Sequence, residues 1–251
     1  MSLFDLDADL NGVEEVEERD SLGGRLLPSS IQDFNIEVAY LRKSGGGAMG
    51  MHVVLVNSDG AKLTDTQYIT SGDAKGNKPY YEKDGKKFPM PGLQHFNSLA
   101  MLVAEKEVKS LEQKEAQLKL YDAEQQKEVA TSVIVFPELR NQKVKAGVIH
   151  KVENKTQKVN GAYVKTNEKR ELNEVNKYFD ADTGCTRTEL KAKDSAEFIE
   201  KWKEKYEGQT MDYFKEQANA PASGGNAGAG SNPLAGGNVA AAADDLFDED
   251  E

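Results

Sequence analysis

The C-terminal part of the sequence limits which residues of this chain can form a folded domain. Residues 219–243 contain no charged side chain and consist mostly of Gly, Ala, Asn, Ser and Pro. A segment of this composition cannot bury enough apolar surface to offset the conformational entropy lost on ordering, so it is expected to be a flexible linker. The folded part of the protein must therefore lie upstream of it.

An acidic tail, DDLFDEDE at residues 244–251, follows the linker. Six carboxylates surround two apolar side chains, so the tail can occupy a basic groove in place of a nucleic acid or offer apolar anchors to a partner protein. Simple solubilisation is the third interpretation. The candidate partner-binding residues are Asp244, Asp245, Leu246, Phe247, Asp248, Glu249, Asp250 and Glu251.

The charge of the chain is unevenly distributed. The formal net charge is −11, from 43 acidic and 32 basic residues. Residues 1–20 hold eight of the acids and one base, and the tail holds six acids, which leaves 31 basic against 29 acidic residues between them. Within that body, residues 140–170 carry nine basic side chains and two acidic ones. Such a concentration is typical of a surface that binds phosphate backbones, although a solvated charged hairpin has the same composition.

One domain is the simplest organisation of the remaining residues. We divide the chain into an acidic N-terminus at 1–25, expected to be disordered, a folded domain at 26–218, the linker at 219–243 and the tail at 244–251. No signal peptide or membrane-spanning run is predicted. The single Cys185 and the separated His52, His95 and His150 predict neither a disulfide nor a metal or other cofactor.

Hydrophobic periodicity predicts a mainly β domain. Alternating apolar residues indicate strands at 34–43, 49–58 and 62–70, and an Asp-Gly turn indicates a hairpin at 80–88. A 3.6-residue period of apolar residues predicts a helix that begins at residue 93. Short strands are predicted at 118–122, 130–139, 143–152 and 161–166. A final helix is predicted at about 194–218. This order predicts a five-stranded barrel of the oligonucleotide-binding (OB) type with an inserted hairpin, an internal helix and a C-terminal helix.

Several stretches resemble the single-stranded DNA-binding proteins of tailed bacteriophages. They are GNKPYYEKDGKKFPMPGLQHFNSLAMLVAEK, VKAGVIHKVENKTQKVNGAYVKTNEKRELNEVNKYFDADTGCT, EFIEKWKEKYEGQT and the terminal DDLFDEDE. The resemblance covers about residues 30–215 and the tail. It implies an OB-fold core, work in phage DNA replication, recombination and repair in the cytoplasm of the infected bacterial host, and a tail that contacts the phage DNA polymerase and helicase-primase. The zinc module of some phage members is absent, so metal-dependent cooperativity is not expected.

A binder that ignores base sequence needs cations for phosphates and aromatic faces for bases. Aromatic residues beside lysines or in turns are the stacking candidates, whereas Tyr40 and Tyr68 remain open and His52 is interpreted as a residue of the core or barrel wall. The predicted DNA-binding residues are Tyr80, Tyr81, Lys86, Lys87, Phe88, Arg140, Lys143, Lys145, Lys151, Lys155, Lys158, Tyr163, Lys165, Lys169 and Arg170.

Two classes of function fit these patterns. No phosphate-binding loop and no carboxylate cluster with metal-site spacing appears, so the chain is not expected to be an enzyme. The favoured hypothesis is sequence-independent binding of single-stranded DNA, with recruitment of replisome proteins by the tail. The alternative is an adaptor that binds no DNA and recruits proteins through its acidic ends. The oligomeric state stays open.

Overall fold

The computed structural model describes residues 26–122, 125–159 and 162–217, with only the backbone of Lys158 and Ala162. This part of the chain is mainly β, as predicted. The strands are β1 (Ser30–Lys43), β2 (Met49–Val56), β3 (Lys62–Tyr68), β4 (Tyr80–Lys83), β5 (Lys86–Pro89), β6 (Lys114–Asp122), β7 (Lys127–Val135), β8 (Lys143–Val159), β9 (Ala162–Phe179) and β10 (Thr210–Asp212). The helices are α1 (Pro91–Ala104), α2 (Arg187–Ala192) and α3 (Phe198–Tyr206).

Strand β1 organises the main sheet. One of its edges pairs with β2, and the other pairs first with β8 and then, at Tyr40 and Leu41, with β7. Strand β3 continues the sheet beyond β2. Alternation along β2 buries Met51, Val53 and Leu55, which pack with Ile36 and with α1 in the main core. The three predicted N-terminal strands and the first predicted helix are confirmed.

The described strands do not close into a hydrogen-bonded barrel. The ladders run from β9 through β8, β1 and β2 to β3, and no backbone pairing joins β3 to β9. Side chains join them instead: the Tyr178 hydroxyl donates to Asp65 Oδ2 at 2.6 Å, and His95 Nε2 from α1 lies 2.7 Å from the same oxygen. Both Asp65 and Tyr178 are buried. The closed OB-type barrel is therefore not confirmed.

Strands β8 and β9 form a long antiparallel ribbon that extends past the main sheet. The sequence predicted only residues 143–152 and 161–166 as strands, because the distal part is polar on both faces and shows no apolar alternation. Strand β10 pairs in parallel with β8 at His150–Val152, so this part of the ribbon is three-stranded. Three strands are more stable than an isolated hairpin, which is marginal in water.

The predicted C-terminal helix at 194–218 is wrong in its bounds. Helix α3 ends at Tyr206, Gly208 follows with a φ of 69°, and the chain continues as β10. The N-cap position of α3 is Glu197, which forms no side-chain capping hydrogen bond. Trp202 fixes the helix on the sheet, because its ring lies directly over Gly147, where a Cβ atom would be 2.6 Å from Cε2.

Helix α2 was missed. Its signal is present in the sequence as Thr186 followed three residues later by Glu189, which form a capping box in the structure. In the described ranges no helix is long and apolar enough to cross a membrane.

Candidate nucleic-acid interface

The β4–β5 hairpin separates its aromatic side chains onto two faces. Asp84 and Gly85 both have positive φ, 52° and 72°, as a two-residue hairpin turn requires. The turn sets the register that pairs Tyr81 with Phe88. Their rings stack with centroids 5.6 Å apart, and Phe88 is exposed.

Lysines flank the tyrosine on the other face of this hairpin. Lys87 Nζ lies 4.8 Å from the Tyr80 ring centroid and Lys78 Nζ lies 5.7 Å from it. Lys86 is exposed as well, and it lies opposite Lys83 on the face of Tyr81 and Phe88. The hairpin thus presents cations together with aromatic rings, as predicted, and all five of its predicted residues lie on one small two-stranded sheet.

Lys151 on the ribbon differs from this arrangement because acidic groups surround it. Its Nζ contacts Glu174 Oε2 and lies 3.2 Å from Glu153 Oε2, and its side chain is only 16% exposed. Burial lowers the pKa of Lys151, but the Glu174 and Glu153 carboxylates outweigh burial and leave the pKa above its usual range. Lys151 is a structural cation rather than one available to a phosphate.

Ion pairs engage other predicted phosphate contacts as well. Lys155 lies 3.0 Å from Glu168, Lys169 lies 3.3 Å from Asp212, and Lys145 lies 3.1 Å from Asp33. Arg170 contacts Glu153. Residues 140–170 are rich in basic side chains in the sequence. In the fold, carboxylates from outside this range, including Glu174 and Asp212, form ion pairs with them. The surface is less positive than predicted.

A smaller set of predicted cations is exposed and forms none of the described ion pairs. It consists of Lys86, Lys87, Arg140, Lys143 and Lys165. The side chain of Lys158 and the whole tail, residues 244–251, lie outside the described residues.

Tyr163, near the turn of the ribbon, is 54% exposed. It interacts electrostatically with Tyr68 of β3, whose pKa is raised mainly by burial and further by the Tyr163 phenol. The ribbon therefore brings its predicted stacking residue near the surface of β3. Tyr68, which the sequence left open, belongs to this surface.

Polar and aromatic side chains cover the side of β1, β2 and β3 that faces away from the core. We call this side the outer face. Its residues form two rows across the ladders, one with Tyr40, His52 and Thr66 and the other with Arg42, Gly50 and Tyr68. Tyr40 and His52 stack with centroids 4.9 Å apart and an interplanar angle of 6°. Sequence reasoning interpreted His52 as a residue of the core or barrel wall, because it lies inside an apolar strand.

The segment after α3 runs along the ribbon. Asn154 donates to the carbonyl of Lys215 at 2.7 Å and accepts from its N–H at 3.0 Å. Asn167 makes the same two bonds with Gln217, at 3.1 and 2.7 Å. Gln217, which precedes residues 218–251 in the chain, therefore lies beside the distal half of the ribbon.

Among the described residues, no group of His, Cys, Asp and Glu side chains has the arrangement of a metal site. Comparison of the sequence with protein families and with curated proteins gives no match.

Proposed function

We propose that this protein binds single-stranded DNA without sequence preference. The observation that carries the proposal is that exposed aromatic rings and exposed lysines outside the described ion pairs occur together on two hairpins, β4–β5 and β8–β9. Stacking accepts every base, and cations track the phosphates, so the two together suit a strand of any sequence.

The topology supports an OB-type fold as the framework. A three-strand meander, then α1, then a hairpin whose first strand returns to β1 is the order of OB strands and helix. In this interpretation β3 and β9 are the closing pair, and Asp65 and Tyr178 bridge them. The β4–β5 and β6–β7 hairpins are additions to that plan.

The same interpretation defines the binding surface. In OB folds, ligands lie on the face of strands 2 and 3, between the loop joining strands 1 and 2 and the loop joining strands 4 and 5. Here these are the glycine-rich residues 44–48 and the β8–β9 ribbon. The outer face lies between them, and Lys143 and Lys165 are the exposed cations of the ribbon.

The biological setting follows from the resemblance to phage single-stranded DNA-binding proteins. We propose coating and protection of single strands during phage replication, recombination and repair in the host cytoplasm. The tail would recruit the DNA polymerase and helicase-primase through Leu246 and Phe247. Attachment of the linker beside the ribbon also supports competition between tail and DNA, since tethering raises the local concentration of the carboxylates.

The test is a titration of the full-length protein with single-stranded homopolymers and with duplex of equal nucleotide concentration, at several salt concentrations. We expect similar affinity for the different homopolymers, much weaker duplex binding and a strong fall in affinity with salt. Equal affinity for duplex, or an affinity independent of salt, would contradict the proposal.

A further inference from the structure

We infer that His52 and Tyr68, which converge over Gly50 on the outer face, form a subsite for one nucleobase of the bound strand. The inference rests on the proposed function and adds residues to it: the base stacks against Tyr68 and forms a hydrogen bond with His52 Nε2.

Two contacts fix the His52 ring. Its Nδ1 lies 2.9 Å from the Thr66 hydroxyl, and Tyr40 stacks on its face. Tyr40 itself is only 6% exposed, so it supports the imidazole and is not available to a ligand. A ring held in this way loses little conformational entropy when it binds a ligand.

The second ring nitrogen is left for a ligand. Nε2 has no hydrogen-bond partner in the described part of the chain. Nε2 is also accessible to solvent. Among the described residues, the only buried side-chain nitrogen or oxygen without a hydrogen-bond partner is Arg170 Nε, so the unpartnered Nε2 of His52 is not buried. Burial, and then the Arg42 guanidinium, lower the pKa of His52 to about 4, so the imidazole is neutral at physiological pH. A neutral imidazole suits a base edge, whereas a phosphate is better bound by a cation.

Gly50 allows the two rings to approach each other. A Cβ atom at this position would lie 3.2 Å from His52 Nε2 and 3.5 Å from Tyr68 Cε1. An added methyl would therefore contact the phenol ring, and the imidazole edge would have to shift by a few tenths of an ångström. Gly50 lies in β2 without a positive φ, so its lack of a side chain, and not backbone freedom, is what the site uses.

A nucleobase is the ligand that matches these groups. Tyr68 offers a partly exposed ring and His52 offers a single hydrogen-bonding atom beside it, while the exposed Tyr163 interacts with Tyr68 from the ribbon. Stacking plus one edge contact is the way single-stranded bases are held. Arg42, exposed in the same row, is placed to contact the adjoining phosphate.

The experiment compares oligothymidine with an abasic oligonucleotide of the same length. Fluorescence anisotropy would measure the binding of wild type, Gly50→Ala, His52→Phe and the control Thr188→Ala, whose side chain is exposed on α2. His52→Phe retains a ring to stack on Tyr40 but has no Nε2. Denaturation with urea would verify that each variant is folded.

We expect Gly50→Ala and His52→Phe to bind oligothymidine at least about fivefold more weakly, the lower end of the effect of one stacked base. Their affinity for the abasic strand should equal that of wild type, and Thr188→Ala should match wild type on both strands. Equal affinities of all folded variants for oligothymidine would overturn the inference, as would an equal loss on both strands. If the wild type binds neither strand, the proposed function itself fails.

Discussion

Alanine substitutions of Lys151 and Lys165 distinguish structural cations from DNA-binding ones on the same ribbon. Lys151 is enclosed by Glu153 and Glu174, whereas Lys165 is exposed and has no ion pair in the described structure. Breaking a buried ion pair costs about 3–5 kcal/mol, and exposed pairs contribute at most about 1 kcal/mol. Because the Glu174 side chain is 39% exposed, we expect Lys151→Ala to lower the free energy of unfolding by about 1–3 kcal/mol.

The effects on DNA binding should be reversed. Folded Lys151→Ala should bind single strands with the salt dependence of wild type, because its charge is already neutralised within the protein. Lys165→Ala should change the free energy of unfolding by less than about 0.5 kcal/mol. It should also reduce the slope of log affinity against log salt by up to about 0.7, the contribution of one phosphate contact.

Urea denaturation and salt-dependent anisotropy titrations of both variants provide the check. The reasoning is refuted if Lys151→Ala is as stable as wild type, or if it reduces the salt slope while Lys165→Ala does not. The first result would mean that the ion pairs around Lys151 contribute little to stability, and the second that they open when DNA binds.

Three further predictions concern the tail, the core and the pH response. Deleting residues 244–251 should raise the affinity for single-stranded DNA at low salt. This gain should disappear at high salt, where charges are screened. An unchanged affinity at low salt would indicate that the tail only solubilises the protein. Gly147→Ala should lower the free energy of unfolding by about 1–3 kcal/mol in urea melts, since the new methyl overlaps the Trp202 ring, and a neutral result would show that α3 can shift. Because the pKa of His52 is about 4 in the fold and about 6.5 in the unfolded chain, the unfolded state binds more protons between these pH values. Stability should therefore be full above about pH 6.5 and fall by up to about 3 kcal/mol toward pH 4, and a wild-type profile equal to that of His52→Phe would contradict this.

Local sequence patterns were sufficient for the elements whose signal is contained within them. The alternation in β1, β2 and β3 follows from one buried and one exposed face, and the Asp84-Gly85 turn determines its hairpin through positive φ. The apolar stripe of α1 predicted its start within two residues. The linker and tail lie outside the described residues and stay predictions from composition.

Other features depend on contacts between residues that are distant in the sequence. The C-terminal helix was predicted too long because its end depends on such a contact: Met211 lies in β10, where it pairs with Lys151 of the ribbon. The availability of each basic side chain could not be predicted from a window of residues, because the carboxylate that neutralises Lys169 comes from Asp212.

The outer face was decided by tertiary structure for the same reason. Tyr40, His52 and Tyr68 lie on three different strands, and only the register of the two ladders places them side by side. The alternation of residues along a strand predicts which face of the sheet each side chain occupies. It does not predict which side chains of the neighbouring strands lie beside it. Hydrophobic periodicity thus determines which strands form, whereas strand pairing determines which side chains meet.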